Sequence, residues 1–421
     1  MSVRRVLTQN IPMIEKPRIR AVEAFPITQD GDTVICLRDP TGLAPDAIAI
    51  GMGAYFLVTL FDGTNDLRDL HSAFVKRFGE RLPDERLIEL IEALDRAYFL
   101  DSPALKRRAS EIREEFLRRP DRPAIHAGLC YAPQAGAARV EIESFFASPE
   151  GPGTTQPPKK GGSLGGLIAP HIDPRRGAAA YAHAYAELRA HQPPELVIIL
   201  GTSHYGAGPE LFSATRKDYA TPFGAARTDS GFLERLAEGY RGDLFADEIL
   251  HRNEHSIEFQ ALFLKWALEG HQFSIAPILV TSFHEMIVRG ATPRDDRRVG
   301  SFLDAMSREL ARERRRVLIL CGVDFAHVGR KFGDEFTVDE KMAGRVQQSD
   351  MGLIEHIRRG DARGFFSDVA RDRDARRICG FAPMYTQLEL LSGRSGRLLK
   401  YGIAMEPDTG SAVSFASLAI D

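Results

Sequence analysis

The stretch "GLIAPHIDP", Gly166–Pro174, is a short apolar run broken by proline and followed at once by a histidine. "IILGTSHYG", Ile198–Gly206, repeats the arrangement and ends its polar turn at His204. Apolar runs this short, bounded by Gly or Pro, read as buried strands rather than helices. The two histidines stand 33 residues apart, the length of one strand–helix–strand unit. The spacing therefore predicts that they end neighbouring strands on one edge of a sheet.

Working outward, the same alternation continues. "AAAYAHAYAELRAH" reads as a helix, "ELVIILG" as a strand, "EFQALFLKWALEG" as a helix and "FSIAPILV" as a strand. "SFLDAMSRELARERR" and "RVLILCG" add another helix and strand. Fully apolar strands separated by helices imply an α/β domain with a largely parallel sheet flanked by helices. Sites in such sheets form at the carboxyl ends of the strands, where both histidines fall.

The 421 residues allow more than one domain and a large core. A net charge of −3 gives no global field for nucleic acid. No apolar run reaches the length needed to span a bilayer, and the N-terminus lacks the apolar core of a secretory signal. Cys36, Cys130, Cys321 and Cys379 lie far apart without a CxxC pair, which excludes a disulfide framework and a zinc ribbon. The expected compartment is the reducing cytoplasm.

Residues 148–166, "SPEGPGTTQPPKKGGSLGG", lack large apolar side chains before Leu164 and are expected to form a flexible loop. The charged stretch "LKRRASEIREEFLRRPDRP" marks a change of domain. The expected division is an N-terminal domain over 1–105, a helical connector over 106–121 and a larger domain over 122–421. In the first, "DTVICLRD" reads as a strand. Leu67, Leu70, Phe74 and Phe78, then Leu87, Ile91, Leu94 and Tyr98, recur at helical spacing. Hairpin plus amphipathic helices predicts a small α+β, winged-helix-like unit.

Four stretches carry the polar candidates: "APHIDP" with His171 and Asp173, "GTSHYG" with His204, "NEHSIEF" with Glu254, His255 and Glu258, and "CGVDFAHVG" with Asp324 and His327. Each holds an imidazole, both a metal ligand and a proton carrier near neutral pH. Asp324 and the residues before His255 also suit helix or turn caps. His183, His191, His251, His271, His284 and His356 sit in contexts that read as surface or packing.

The ordered motifs "RPAIHAGLCYA", "APH", "ILGTSHYG", "YATPFG", "NEHSIEF", "VDFAHVG", "ICGFAP" and "AVSFASLAI" make residues 122–421 resemble the Memo family, protein B of the AmmeMemoRadiSam gene set. The resemblance implies a fold like that of LigB-type class III extradiol dioxygenases. It implies metal ligation by His171 and His204 with a cysteine. That cysteine is expected in "VDFAHVG", where this chain has Ala326, so the expected site is incomplete, holding iron or copper weakly. Asp324, His327 or His255 could complete it, and Cys321 is expected to pack within its strand. The dioxygenase likeness gives His255 an acid/base role, with Asp324 and His327 as further catalytic candidates.

"LFDGTNDLRDLHSAFVKRFG" and "LIELIEALDRAYFLDSP" make the N-terminal part resemble PqqD-like peptide-recognition domains. Together the resemblances imply a radical-SAM protein and an AMMECR-type protein as partners, with a peptide bound by the N-terminal domain. The alternatives are a non-catalytic peptide-presenting scaffold with a degenerate metal site, and a metal-dependent oxidoreductase or dioxygenase.

Overall fold

The computed structural model describes residues 14–29, 31–154, 161–206 and 208–421. It divides into two units, Met1–Arg118 and Arg119–Asp421. The loop expected over 148–166 lies partly outside the described residues, at 155–160, and its described part before Gly166 has no helix or strand.

In the first unit β1 (Glu23–Gln29), β2 (Asp32–Arg38) and β3 (Ile48–Ile50) form an antiparallel sheet in the order β1-β2-β3. Helices α1 (Met52–Val58), α2 (Leu67–Phe78), α3 (Asp84–Arg96) and α4 (Pro103–Arg118) follow. Asp66 and Asp69 form a reciprocal capping box at the start of α2, and Gly79 ends it in the left-handed conformation. Leu37, Leu57, Phe61, Leu70, Leu87, Ile91 and Phe99 make this unit's core. Of the predicted α2 stripe Leu70 is fully buried, but Phe78 is 41% exposed. The α4 helix, expected as a connector from 106, begins at Pro103 and clusters with this first unit.

The second unit runs β4 (Asp121–Arg122), α5 (Ala135–Ala147), β5 (Gly166–Ala169), α6 (Ala178–Ala190), β6 (Leu196–Thr202), β7 (Phe212–Ala214), β8 (Asp218–Tyr219), α7 (Ser230–Gly239), α8 (Ser256–Ala267) and β9 (Ser274–Val280). It continues through α9 (His284–Arg289), α10 (Arg297–Arg312), β10 (Val317–Gly322), β11 (His327–Gly329), α11 (Glu340–Arg358), α12 (Ala362–Arg371), α13 (Phe381–Leu390), β12 (Gly396–Glu406) and β13 (Ser411–Ile420). The main sheet is ordered β11-β13-β5-β10-β6-β9-β7, with β12 also paired to β13.

In this sheet, among the described residues, β5, β10, β6 and β9 pair in parallel, while β13, β11, β12 and β7 are antiparallel. The sheet is thus mixed rather than largely parallel. The long β12–β13 hairpin escapes the strand–helix alternation because its strands are joined locally, without a crossover helix. The two histidine-bearing strands are not neighbours either, since β10 lies between β5 and β6. That insertion brings the end of β10 between the two histidines.

Helix α8 starts against the ends of β6 and β10, and two glycines permit the approach. A Cβ on Gly201 would stand 2.6 Å from Ile257 and from the Ser256 hydroxyl. A Cβ on Gly322 would collide with the Ser256 carbonyl. Core side chains cover both faces of the sheet, with Phe212, Phe283 and Phe302 on one and Tyr181, Tyr185 and Phe263 on the other.

Candidate metal centre

His171 follows β5 by way of Pro170 and is 2% exposed. Its backbone N–H donates to Asp324 Oδ1 at 3.0 Å, and its Nδ1 lies 2.9 Å from the Gly322 carbonyl at the end of β10. A carbonyl only accepts, so Nδ1 carries the proton and Nε2 keeps its lone pair. His204 follows β6. Its Nδ1 lies 3.0 Å from Glu254 Oε1, and its backbone N–H donates to Glu254 Oε2 at 3.0 Å. Here too Nε2 is left to point elsewhere.

Both Nε2 atoms turn toward Cys379, in the turn before α13. Cys379 Sγ lies 3.3 Å from His171 Nε2, and ligand atoms of His171, His204 and Cys379 all fall within 4.8 Å of one another. The thiol that groups with the two histidines is therefore Cys379, and position 326 lies apart from them. Ala326 is fully buried in a cluster with Val328, Val338, Val346 and Ala412, and its N–H donates to the Ser414 hydroxyl. The thiol comes from the motif "ICGFAP", whose sequence by itself carries no sign of this role. Its loop is joined to the Asp324–His327 loop by His327 N–H donating to the Arg376 carbonyl and Gly380 N–H donating to the Asp324 carbonyl.

The remaining candidates take different places. Glu254 is buried and accepts the backbone N–H groups of His204, His255 and Ser256. Burial alone would keep its carboxyl neutral, but His204 and these hydrogen bonds hold its pKa well below the usual range. His255 caps α8, and its ring stacks on His204 at 4.9 Å and stands edge-on to His171 at 5.0 Å. Burial drives its pKa down to about 3, so it is a neutral imidazole beside the ligand group. Burial also raises Asp324 to about 7; its Oδ2 is 3.7 Å from His171 Nε2.

His327 belongs elsewhere. Its Nδ1 is bonded to the Phe325 carbonyl and its ring packs edge-on against Phe332 at 5.0 Å, outside the ligand group. Cys321 packs within β10, fully buried, as expected. His251 is a packing residue between the Tyr219 hydroxyl and the Ser213 carbonyl.

Burial makes a charge costly on His171 and on the Cys379 thiol. On His204 burial opposes charge, but Glu254 and Cys379 outweigh it and raise the pKa. Two imidazoles presenting Nε2 and one thiol form a borderline-to-soft donor set. That set suits copper, iron or zinc and is unsuited to magnesium or calcium.

His126, in the motif "RPAIHAGLCYA", belongs to the same cluster of rings. It stands 5.8 Å from His255 and 5.6 Å from Phe259, and its Nδ1 lies 2.7 Å from Glu258 Oε2. Glu258 is completely buried, paired with the equally buried Arg122, and also accepts from the Tyr131 hydroxyl. The signal that points to this residue is the pairing of "RPAIHAGLCYA" with the second acid of "NEHSIEF", which only folding brings together.

A family model described as Memo-like protein matches residues 122–419. A MEMO1 family protein of Aquifex aeolicus is 29% identical over 408 residues, covering 96% of this chain and 99% of its own length. A MEMO1 family protein of Thermus thermophilus is 28% identical over 354 residues, covering 84% of this chain and 98% of its own length. One of Methanopyrus kandleri is 28% identical over 302 residues, covering 70% of this chain and 97% of its own length. The Aquifex alignment takes in most of the first unit, whereas the Methanopyrus protein is about as long as the second alone.

Proposed function

This chain belongs to the Memo family, and on that premise we propose that it is a metal-binding protein using His171, His204 and Cys379 to hold copper or iron. The observation that carries the reading is the convergence of three ligand atoms whose histidines have both Nδ1 protons engaged elsewhere. Gly322 and Glu254 fix the tautomers before any metal arrives, which lowers the cost of assembling the site. A bound ion would supply Lewis acidity or a redox couple beside the neutral His255. The ligand that this group would meet is a small molecule or a peptide side chain.

The family resemblance supports a place in the AmmeMemoRadiSam set, beside a radical-SAM protein and an AMMECR-type protein. The PqqD-like pattern supports a peptide-recognition role for the first unit. Four unpaired cysteines favour a cytoplasmic setting, and no helix among the described residues is long and apolar enough to cross a membrane. The scaffold alternative takes Ala326 as a lost ligand; the grouping of Cys379 with His171 and His204 speaks against it.

Anaerobic loading with copper(I) or iron(II), followed by metal analysis, tests the reading. Wild type is expected to retain stoichiometric metal, and His171→Ala and Cys379→Ser to lose most of it. Equal retention by all three proteins, or none by wild type, overturns it. The oxidoreductase reading is favoured by one observation, the neutral imidazole of His255 against both ligand histidines. It predicts oxygen consumption with hydroxylated aromatic substrates that disappears in His255→Gln.

A further inference from the structure

At the opposite end of the sheet from the ligand group lies a cavity of about 540 Å³. Small-molecule sites range over about 300–1,000 Å³. Helices α6 and α8, of 13 and 12 residues, run from the ligand end of the sheet to this one, so the two places are roughly 18 Å apart. One wall is aromatic. Trp266, the chain's single tryptophan, is 7% exposed, and its ring centroid stands 4.8 Å from that of Phe146. The Arg189 guanidinium lies over the Trp266 ring, 4.9 Å from its centroid.

The lining also carries both signs of charge. Arg139, Glu143 and Phe146 recur at helical spacing, so α5 turns one face to the cavity. Arg189 comes from the last turn of α6 and Glu269 from the turn after α8. Burial lowers the pKa of Arg189, and the Glu143 carboxylate works the other way. Arg139 and Glu269 pair at 2.7 Å, but their side chains are 37% and 64% exposed. So exposed a pair contributes little to the fold, and either member can change partner at small cost. A simple anion here would meet two carboxylates, and a simple cation two guanidinium groups. A ligand of both signs finds a partner for each.

We propose that this cavity, lined by Arg189, Glu143, Phe146 and Trp266, binds a small zwitterion with an aromatic side chain, of amino-acid to dipeptide size. Its carboxylate meets Arg189, whose planar guanidinium donates to both oxygens. Its ammonium donates to Glu143, and its ring packs against Phe146 and Trp266. The site is separate from His171, His204 and Cys379 and needs no metal there.

The test titrates the full chain with phenylalanine and with the dipeptide glycylphenylalanine, by calorimetry. Trp266 fluorescence is followed in parallel, excited where phenylalanine does not absorb. At least one of the two is expected to bind saturably and to change the emission. N-acetylphenylalanine lacks the ammonium and phenylalaninamide lacks the carboxylate. Each is expected to bind about tenfold more weakly than phenylalanine, the effect of losing one charge-assisted hydrogen bond. Arg189→Gln is expected to weaken phenylalanine and leave phenylalaninamide unchanged, and Glu143→Gln to weaken phenylalanine and leave N-acetylphenylalanine unchanged. Binding by neither zwitterion overturns the proposal, as does equal binding of the blocked forms or binding that survives both substitutions. His171→Ala, at the other end of the sheet, is expected to bind the zwitterion as wild type does, so a failure of the metal reading leaves this one standing. Loss of zwitterion binding in His171→Ala overturns the placement in this cavity.

Discussion

Glu254 has more to do than any other side chain near the ligands. One carboxylate fixes the tautomer of His204 and caps the start of α8 through the N–H groups of His255 and Ser256. Partners of metal-bound histidines typically change affinity by about 10–100-fold when removed. Glu254→Gln is expected to weaken metal binding by that factor while His204 stays in place. Competition against a calibrated chelator measures it, and an unchanged affinity would refute the role. At Cys379 the thiol must lose its proton to bind metal, and burial raises its pKa. Metal affinity is therefore expected to rise with pH, and to do so less steeply in Cys379→Ser. His171 and His204 were legible in sequence because each ends an apolar run. Cys379 was not, since nothing within its own stretch ties it to residues two hundred positions away.

At the scale of elements, the site depends on how α8 is seated on the sheet. Gly322 faces the Ser256 carbonyl so closely that even a methyl group requires backbone to move. Gly322→Ala is expected to cost about 1–3 kcal/mol and to weaken metal binding. Gly344, in α11 with open space around it, is the control; its alanine variant is expected to gain about 0.5–1 kcal/mol. Urea unfolding of the two variants decides the point, and similar midpoints would count against it. A second brace runs from Asp350 on α11. It binds Arg376 at 2.9 Å, the Tyr401 hydroxyl at 2.8 Å and the Ser414 hydroxyl at 2.6 Å. Ser414 in turn accepts the Ala326 N–H, and the Arg376 carbonyl accepts that of His327. The brace holds the Asp324 loop and the loop leading to Cys379 from one carboxyl group. The parallel strands were readable from apolar runs. The β12–β13 hairpin was not, because β12 is only half-buried along most of its length and carries no continuous apolar pattern.

Taken whole, the larger unit buries charge and neutral imidazole in ways that make it acid-labile. Burial lowers His251 to about 3. Below its ordinary value of 6.5 the unfolded chain takes up a proton that the folded one refuses, so stability falls as pH drops from 6.5 to about 3. Burial opposes the charge of Glu258, but Arg122 and His126 hold its pKa at about 2. Its contribution is complete above 4.5 and lost as pH falls toward 2. Urea midpoints measured at neutral pH and near pH 4 are expected to differ, and the difference to shrink in His251→Gln; an unaltered pH dependence there speaks against this assignment. Breaking the buried pair with Arg122→Met, which leaves Glu258 uncompensated, is expected to cost about 3–5 kcal/mol.

The sequence by itself determined the α/β character of residues 122–421, the strand ends that carry His171 and His204, and the family. These depend on local periodicity and short contiguous motifs, which a linear string preserves. Only the tertiary structure decided that β10 lies between the two histidine strands, that Cys379 supplies the thiol, and that Glu258 reaches His126. Those are meetings between loops far apart in the chain. They are set by strand order and by buried hydrogen bonds, neither of which leaves a periodic mark in the sequence.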